Sequence, residues 1–207
     1  PPAPAGATAA PTAAAAEVPA AEDPAAAPAD APIIEGLTFT EESPLKYATV
    51  FRLFRYEGGY TLIRIDNGGD FLVVPEGAAV PAKMDSSVTV LQQPLDKIYL
   101  AATSAMSLFA AVDALDHIRL TGTRESGWYI DAAVEAMQRG DIEFAGKYSE
   151  PDYERLIDEE CDLAIESTMI YHTPKVKEQL ERLGIPVLVE RSSYESNPLG
   201  RMEWIKL

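Results

Sequence analysis

One cysteine and two histidines are all that the 207-residue sequence holds of thiol and imidazole side chains. Cys161 alone makes no internal disulfide. His117 and His172 are too few nitrogen ligands for a dedicated transition-metal site, so no metal is expected. Positive charge is scarce too: 17 Lys and Arg stand against 33 Asp and Glu, a net charge of −16. Binding a phosphate backbone needs clustered cations, which argues against nucleic acid as a partner; the acidity itself reads as a solvated surface. No apolar run approaches the roughly 20 residues of a membrane-spanning helix. Neither GxGxxG nor GxxxxGK[ST] occurs, and Thr121–Gly127 lacks both the lysine and the glycine spacing of a phosphate loop. Without a G-x-S-x-G elbow, nothing promotes Ser104 or Ser167 to a nucleophile. Cys161, between a helix end and an apolar strand, reads as a packed thiol and not as a partner of His172. No constellation calls for an enzyme or a catalytic residue.

What is present is unevenly distributed. Residues 1–32 carry 8 of the 16 prolines in an alanine background. Prolines at 11, 19, 24, 28 and 32 interrupt any helix that alanine would favour, so the segment is expected to be a disordered Ala/Pro-rich linker. The chain opens on Pro and not Met, which suits a mature product whose signal peptide has been removed or omitted. Residues 33–200 suit one domain. Within it, Tyr47–Tyr56, Tyr60–Asp66 and Phe71–Val74 are rich in aromatic and branched residues. Glu57-Gly58-Gly59 and Asn67-Gly68-Gly69 separate them as turns, which predicts a β-meander over about 46–76 at the edge of the domain.

From residue 88 to about 200 the rhythm becomes strand, loop, helix. Strands are expected at Val88–Leu91, Lys97–Ala101, Ile118–Leu120, Ile142–Ala145, Leu163–Ile165 and Pro186–Val189. Ser104 is expected to cap a helix, Ala105–Leu115, that is apolar on nearly every side and therefore buried. Trp128–Arg139 carries Ile130, Val134 and Met137 at helical spacing and stops at Gly140. Ser149-Glu150-Pro151-Asp152 is a capping signal for a helix with Tyr153, Leu156 and Ile157 inward. Thr173-Pro174 opens another helix, with Val176, Leu180 and Leu183 inward. His117, after the apolar helix, reads as a capping or surface residue. This alternation predicts an α/β fold: a three-layer αβα lobe with a mainly parallel sheet, preceded by the meander. In such sheets ligands bind beyond the carboxyl ends of the strands. The candidate loops are therefore Thr103–Ser104, Thr121–Tyr129, Gly146–Ser149, Glu166–Thr173 and Glu190–Asn197.

The stretch Ser149-Glu150-Pro151-Asp152-Tyr153-Glu154-Arg155-Leu156-Ile157, followed by Cys161-Asp162-Leu163-Ala164-Ile165, resembles a segment of the ABC-transporter periplasmic binding proteins for cobalamin and ferric siderophores. That segment reads roughly N-x-E-x-(I/L)-x-x-L-x-P-D-L-(V/I), and Cys161 stands where the family usually has Pro. Leu100–Leu115 with Ile118–Leu120 is similar to the family's first strand, buried helix and second strand. Leu183-Gly184-Ile185-Pro186-Val187-Leu188-Val189 is similar to its LGIPV passage, and Pro198–Lys206 to the opening of its interlobe helix. The resemblance covers about residues 88–207.

This resemblance implies the amino-terminal lobe of an extracytoplasmic substrate-binding protein. Residues 201–207 would begin the interlobe helix, and the second lobe would be absent, as in a fragment. The implied ligand is a metal chelate (an iron siderophore or haem) or a corrinoid, with no cofactor of the protein's own. The implied partners are an ABC permease with its ATPase, and a membrane reached through an N-terminal lipid anchor outside this chain. Glu154 matches the position that docks on permease arginines. Ligand contacts are expected from Ser104, Arg124, Trp128, Tyr129, Lys147, Tyr148, Tyr171, His172, Arg191 and Tyr194, because cations pair with anionic oxygens and aromatic rings offer flat apolar faces. Two other readings stay open: a surface domain that binds a protein through its tyrosine-rich rim, and a small α/β enzyme using the same loops.

Overall fold

The computed structural model describes residues 31–207, so the linker expected over 1–32 lies almost wholly outside the described residues. The first sheet grows from strands that bury both faces. Strand β1 is Phe39–Glu42, β2 Phe51–Tyr56, β3 Thr61–Ile65, β4 Gly69–Val74 and β5 Val88–Gln92. In β2, Phe51 and Leu53 face one core while Phe54 and Tyr56 face another. Successive strand side chains point to opposite faces, which is how a run as apolar as Phe-Arg-Leu-Phe-Arg-Tyr serves two cores at once. The strands lie in the order β1-β2-β3-β4-β5, antiparallel up to β4, with both expected turns in place. β1 was not foreseen. β5 departs from its expected membership: Val88–Gln92 pairs parallel to β4 in this sheet and not with the later strands. Its short apolar run satisfies either sheet, and proximity to the open edge of β4 decides.

The second sheet comprises β6 Ile98–Leu100, β7 Ile118–Thr121, β8 Glu143–Phe144, β11 Leu163–Ser167 and β12 Val187–Glu190. Its order is β12-β11-β6-β7-β8, and every pairing is parallel. Helices α1 (Thr103–Ala111) and α2 (Asp131–Arg139) bury Ala105, Met106, Ala133 and Ala136 in the core of one face. Helices α3 (Tyr153–Asp158) and α4 (Pro174–Arg182) bury Leu156, Val176 and Leu180 on the other. This is the expected α/β fold with a mainly parallel sheet. The first sheet is not a peripheral meander, since Phe51, Leu53, Ile63, Ile65 and Phe71 share one core with Ile98, Leu100, Ile118 and Ile165. A two-stranded hairpin, β9 (Gly146–Lys147) with β10 (Glu150–Pro151), precedes α3.

Several local expectations change. The N-cap of α1 is Ala102, without a side-chain bond, and Ser104 sits inside the helix. Nor is α1 buried all round: only Ala105 and Met106 are fully covered, and Val112 just beyond its end is 54% exposed. In α3, Asp152 caps as expected by accepting from the Arg155 amide, but Ile157 is exposed. The last helix, α5, spans Pro198–Glu203, is capped by Asn197 and runs into a 3₁₀ turn over Trp204–Lys206.

Two carboxylates tie the last part of the chain to residues 46–50. Glu203 accepts from the amides of Lys46, Tyr47 and Ala48 at 2.6–2.9 Å. Buried Glu195 accepts from the amides of Thr49 and Val50 and from Trp204 Nε1 at 2.8–3.1 Å. Five successive amides that no strand partner satisfies are thereby bonded, which removes the penalty of unpaired backbone donors. Gly200 permits the approach: a Cβ there would lie 2.9 Å from the Tyr47 carbonyl oxygen.

Candidate ligand-binding site at the strand ends

From β6 the chain winds outward through β7 to β8, then returns across the sheet to β11 and winds the other way to β12. The order therefore reverses between β6 and β11. Adjacent crossovers diverge at such a point and leave a crevice beyond the carboxyl ends of the two strands. Ala101 and Ala102 follow β6 there, and both donate to the Ile165 carbonyl at 2.9–3.0 Å. Gly122, after β7, closes against them: a Cβ would stand 3.1 Å from Ala101 Cα and 3.2 Å from the Tyr99 hydroxyl.

Two strands carry a buried glutamate at or next to their carboxyl ends, and the pair differ in their satisfaction. Glu190 on β12 accepts from Ser104 Oγ and from the Ser192 amide, both at 2.6 Å. It fastens the first turn of α1 to the loop after β12. Glu166 on β11 is fully buried, and neither of its oxygens has a hydrogen-bond partner among the described residues. Burial alone raises its pKa to about 8, because the charged form loses its hydration and gains nothing in return. Tyr99 and Tyr153 sense its charge, and burial holds both phenols above their usual range. The Tyr99 hydroxyl donates to the Gly146 carbonyl at 3.0 Å, linking β6 to the hairpin. Both glutamates end apolar runs, Leu163-Ala164-Ile165-Glu166 and Val187-Leu188-Val189-Glu190. That repeated pattern was the signal available in the sequence and left unused.

The expected contact residues divide. Ser104 is exposed at the crevice and bonded to Glu190. Arg124 lies after β7 with its guanidinium 4.2 Å from the Phe144 ring centre. Arg191 directly follows β12 and is 9% exposed, 4.3 Å from the Tyr194 ring centre. Tyr129, Tyr171 and Tyr194 are exposed, and the Tyr171 hydroxyl reaches the Asn67 carbonyl in the β3–β4 turn at 3.0 Å. Lys147 on β9 and His172 are exposed, and Tyr148 is half-buried. Trp128 has a different place: it is part of the core, with Nε1 donating to the Thr123 carbonyl at 3.3 Å, and α2 begins only at Asp131. Its bulk fills the space under the β7–α2 loop.

Away from the crevice, Glu154 is exposed in the first turn of α3, while its neighbour Arg155 pairs with Glu143. Cys161 is buried at the opposite end of β11, and burial pushes its thiol up to about 11, which suits packing and not reactivity. Among the described residues no group of three or more His, Cys, Asp or Glu side chains could hold a metal ion. No helix there is long and apolar enough to cross a membrane. A separate apolar cavity of about 270 Å³ lies between the two sheets and α1, with Glu190 and His117 among its lining; His117 Nδ1 is 3.0 Å from the Leu95 carbonyl.

No protein-family model matches the chain. It is similar to an uncharacterized lipoprotein of Methanocaldococcus jannaschii, 22% identical over 192 residues. The match covers 79% of this chain and 44% of that protein, so the chain spans less than half the length of its relative.

Proposed function

We propose that the chain is the amino-terminal lobe of a lipid-anchored, extracytoplasmic solute-binding protein that serves an ABC importer. Its ligand on this reading is an iron chelate or a corrinoid. The crevice where the strand order reverses between β6 and β11 carries the proposal, because ligands of open α/β sheets bind at such a point. The exposed Tyr129, Tyr171 and Tyr194 on the surrounding loops fit a bulky, partly flat ligand, since tyrosines offer large apolar faces at small entropic cost. The lipoprotein nature of the archaeal relative supports the anchor and the location outside the cytoplasm. A second lobe, from sequence outside these residues, would close the cleft.

Calorimetric titration with ferric siderophores, haem and corrinoids tests the reading: saturable binding without turnover of the ligand is expected. Glu154 supplies a second test, since docking draws on steering by exposed charges. Glu154→Arg should leave ligand affinity unchanged and impair uptake in cells; undiminished uptake removes the docking assignment. The same exposed tyrosines favour a second reading, a protein-binding rim. It would show as a stable protein complex that no small chelate disturbs.

A further inference from the structure

Arg124 and Arg191 stand apart among the ten arginines. The other eight each hydrogen-bond to a carboxylate, a hydroxyl or a carbonyl. Among the described residues these two have neither a hydrogen bond nor an ion pair and meet only an aromatic ring. In a chain of net charge −16, with acceptors in excess, two unneutralised guanidiniums are unexpected. Arg191 is the more telling, being 91% buried with its Nε fully covered and unbonded. A buried unpaired cation is unfavourable, and a ring face recovers only part of the loss.

Both arginines occupy loops beyond the carboxyl ends of the parallel strands, one on each side of the point where the order reverses. Arg191 follows β12 and Arg124 follows β7, three strands away. With neighbouring strands about 4.8 Å apart, the two loops are separated by roughly 14 Å. Exposed Lys147, after β8, adds a third cation, unpaired among the described residues, on Arg124's side. Ring stacking holds a guanidinium plane without using its N–H donors, which leaves exposed Arg124 able to grip an oxyanion bidentately and buried Arg191 with donor capacity unspent, its covered Nε included.

We infer that the strand-end site takes a polyanion whose oxyanion groups are far enough apart to engage Arg124 and Arg191 together. This rests on the solute-binding reading and narrows it, favouring a carboxylate- or catecholate-bearing chelate over a neutral hydroxamate chelate or a corrinoid.

Two probes of similar size decide it: a hexadentate gallium(III) tris-catecholate, a diamagnetic trianion, and a neutral gallium(III) tris-hydroxamate. Each is titrated into the ¹⁵N-labelled chain at low salt, with the arginine Nε–H signals followed by NMR. The trianion should shift the Arg124 and Arg191 signals, bind at least about tenfold more tightly than the neutral complex, and weaken as salt is added. Arg124→Gln and Arg191→Gln should each weaken the trianion about tenfold and leave the neutral complex unchanged. Arg139→Gln, at the far end of α2 and paired with Asp141, should change nothing. Arg124 is exposed, so its variant tests the inference even if Arg191→Gln fails to fold. Equal binding of the two complexes, with both variants silent, overturns the polyanion and leaves the solute-binding reading standing. If neither complex moves any strand-end signal, both readings fall.

Discussion

Glu166→Gln is the substitution whose effect follows most directly from the structure. The native carboxyl is fully buried without a hydrogen-bond partner among the described residues, and its pKa is raised from 4.5 to about 8. In the unfolded chain it ionises near 4.5, so between the two values the native state holds a proton that the unfolded state has lost. The contribution of Glu166 to stability is therefore greatest below pH 4.5, falls as pH rises, and stops falling above about 8. Each pH unit in that window costs at most about 1.4 kcal/mol, and the whole window about 4–5 kcal/mol. That is a large part of the 5–15 kcal/mol that typically separates folded from unfolded domains. Glutamine has nearly the same shape and cannot ionise, so this pH-dependent component should vanish. The assay is urea unfolding followed by tryptophan fluorescence from pH 4.5 to 8.5. The native protein should lose several kcal/mol across the range, and the variant should retain most of it, becoming the more stable of the two at pH 8. Equal slopes in both proteins would refute the reasoning, because Glu166 would then already be ionised and solvated in the native state.

The acid side is governed by Glu203, whose carboxylate is held at about 2 by the amides of Lys46, Ala48 and Tyr47 and by Lys206. Its contribution is present above about 4.5 and disappears as pH falls toward 2, so Glu203→Gln should lower stability at neutral pH and flatten the acid limb of a circular-dichroism pH titration. Gly146→Ala should destabilise by at least about 2 kcal/mol in thermal or urea unfolding, because Gly146 has φ +79° and its new Cβ would meet the Glu150 carbonyl at 2.3 Å. Gly140→Ala is the control: its φ is similar, +81°, but nothing lies within 4 Å of the Cβ, so only the conformational cost of about 1–2 kcal/mol should appear.

Much of the architecture was legible in the sequence because its signals are local. The turns at Glu57-Gly58-Gly59 and Asn67-Gly68-Gly69, the Asp152 cap, and the helices that end at Gly140 and open at Pro174 all stand where their residues imply. The two- and 3.6-residue periods are set within a few residues of chain, so they survive in the sequence alone. The rest depends on partners far away in sequence. Val88–Gln92 could extend either sheet, and the free edge of β4 took it. The apolar α1 was expected to be buried all round, yet only part of it finds cover among the described residues. Trp128 was placed in the ligand loop by sequence position and in the core by packing. Most of all, charge gave no sign of its own fate. Glu166, Glu190, Glu195 and Glu203 read as four more acids in an acidic chain, and tertiary structure made one orphaned, one a latch and two a clamp on residues 46–50. Arg124 and Arg191 were foreseen at the strand ends, but not that they would be left unpaired. The energy of a charge depends on the water it loses and the partners it meets, and both are settled only when distant segments close around it.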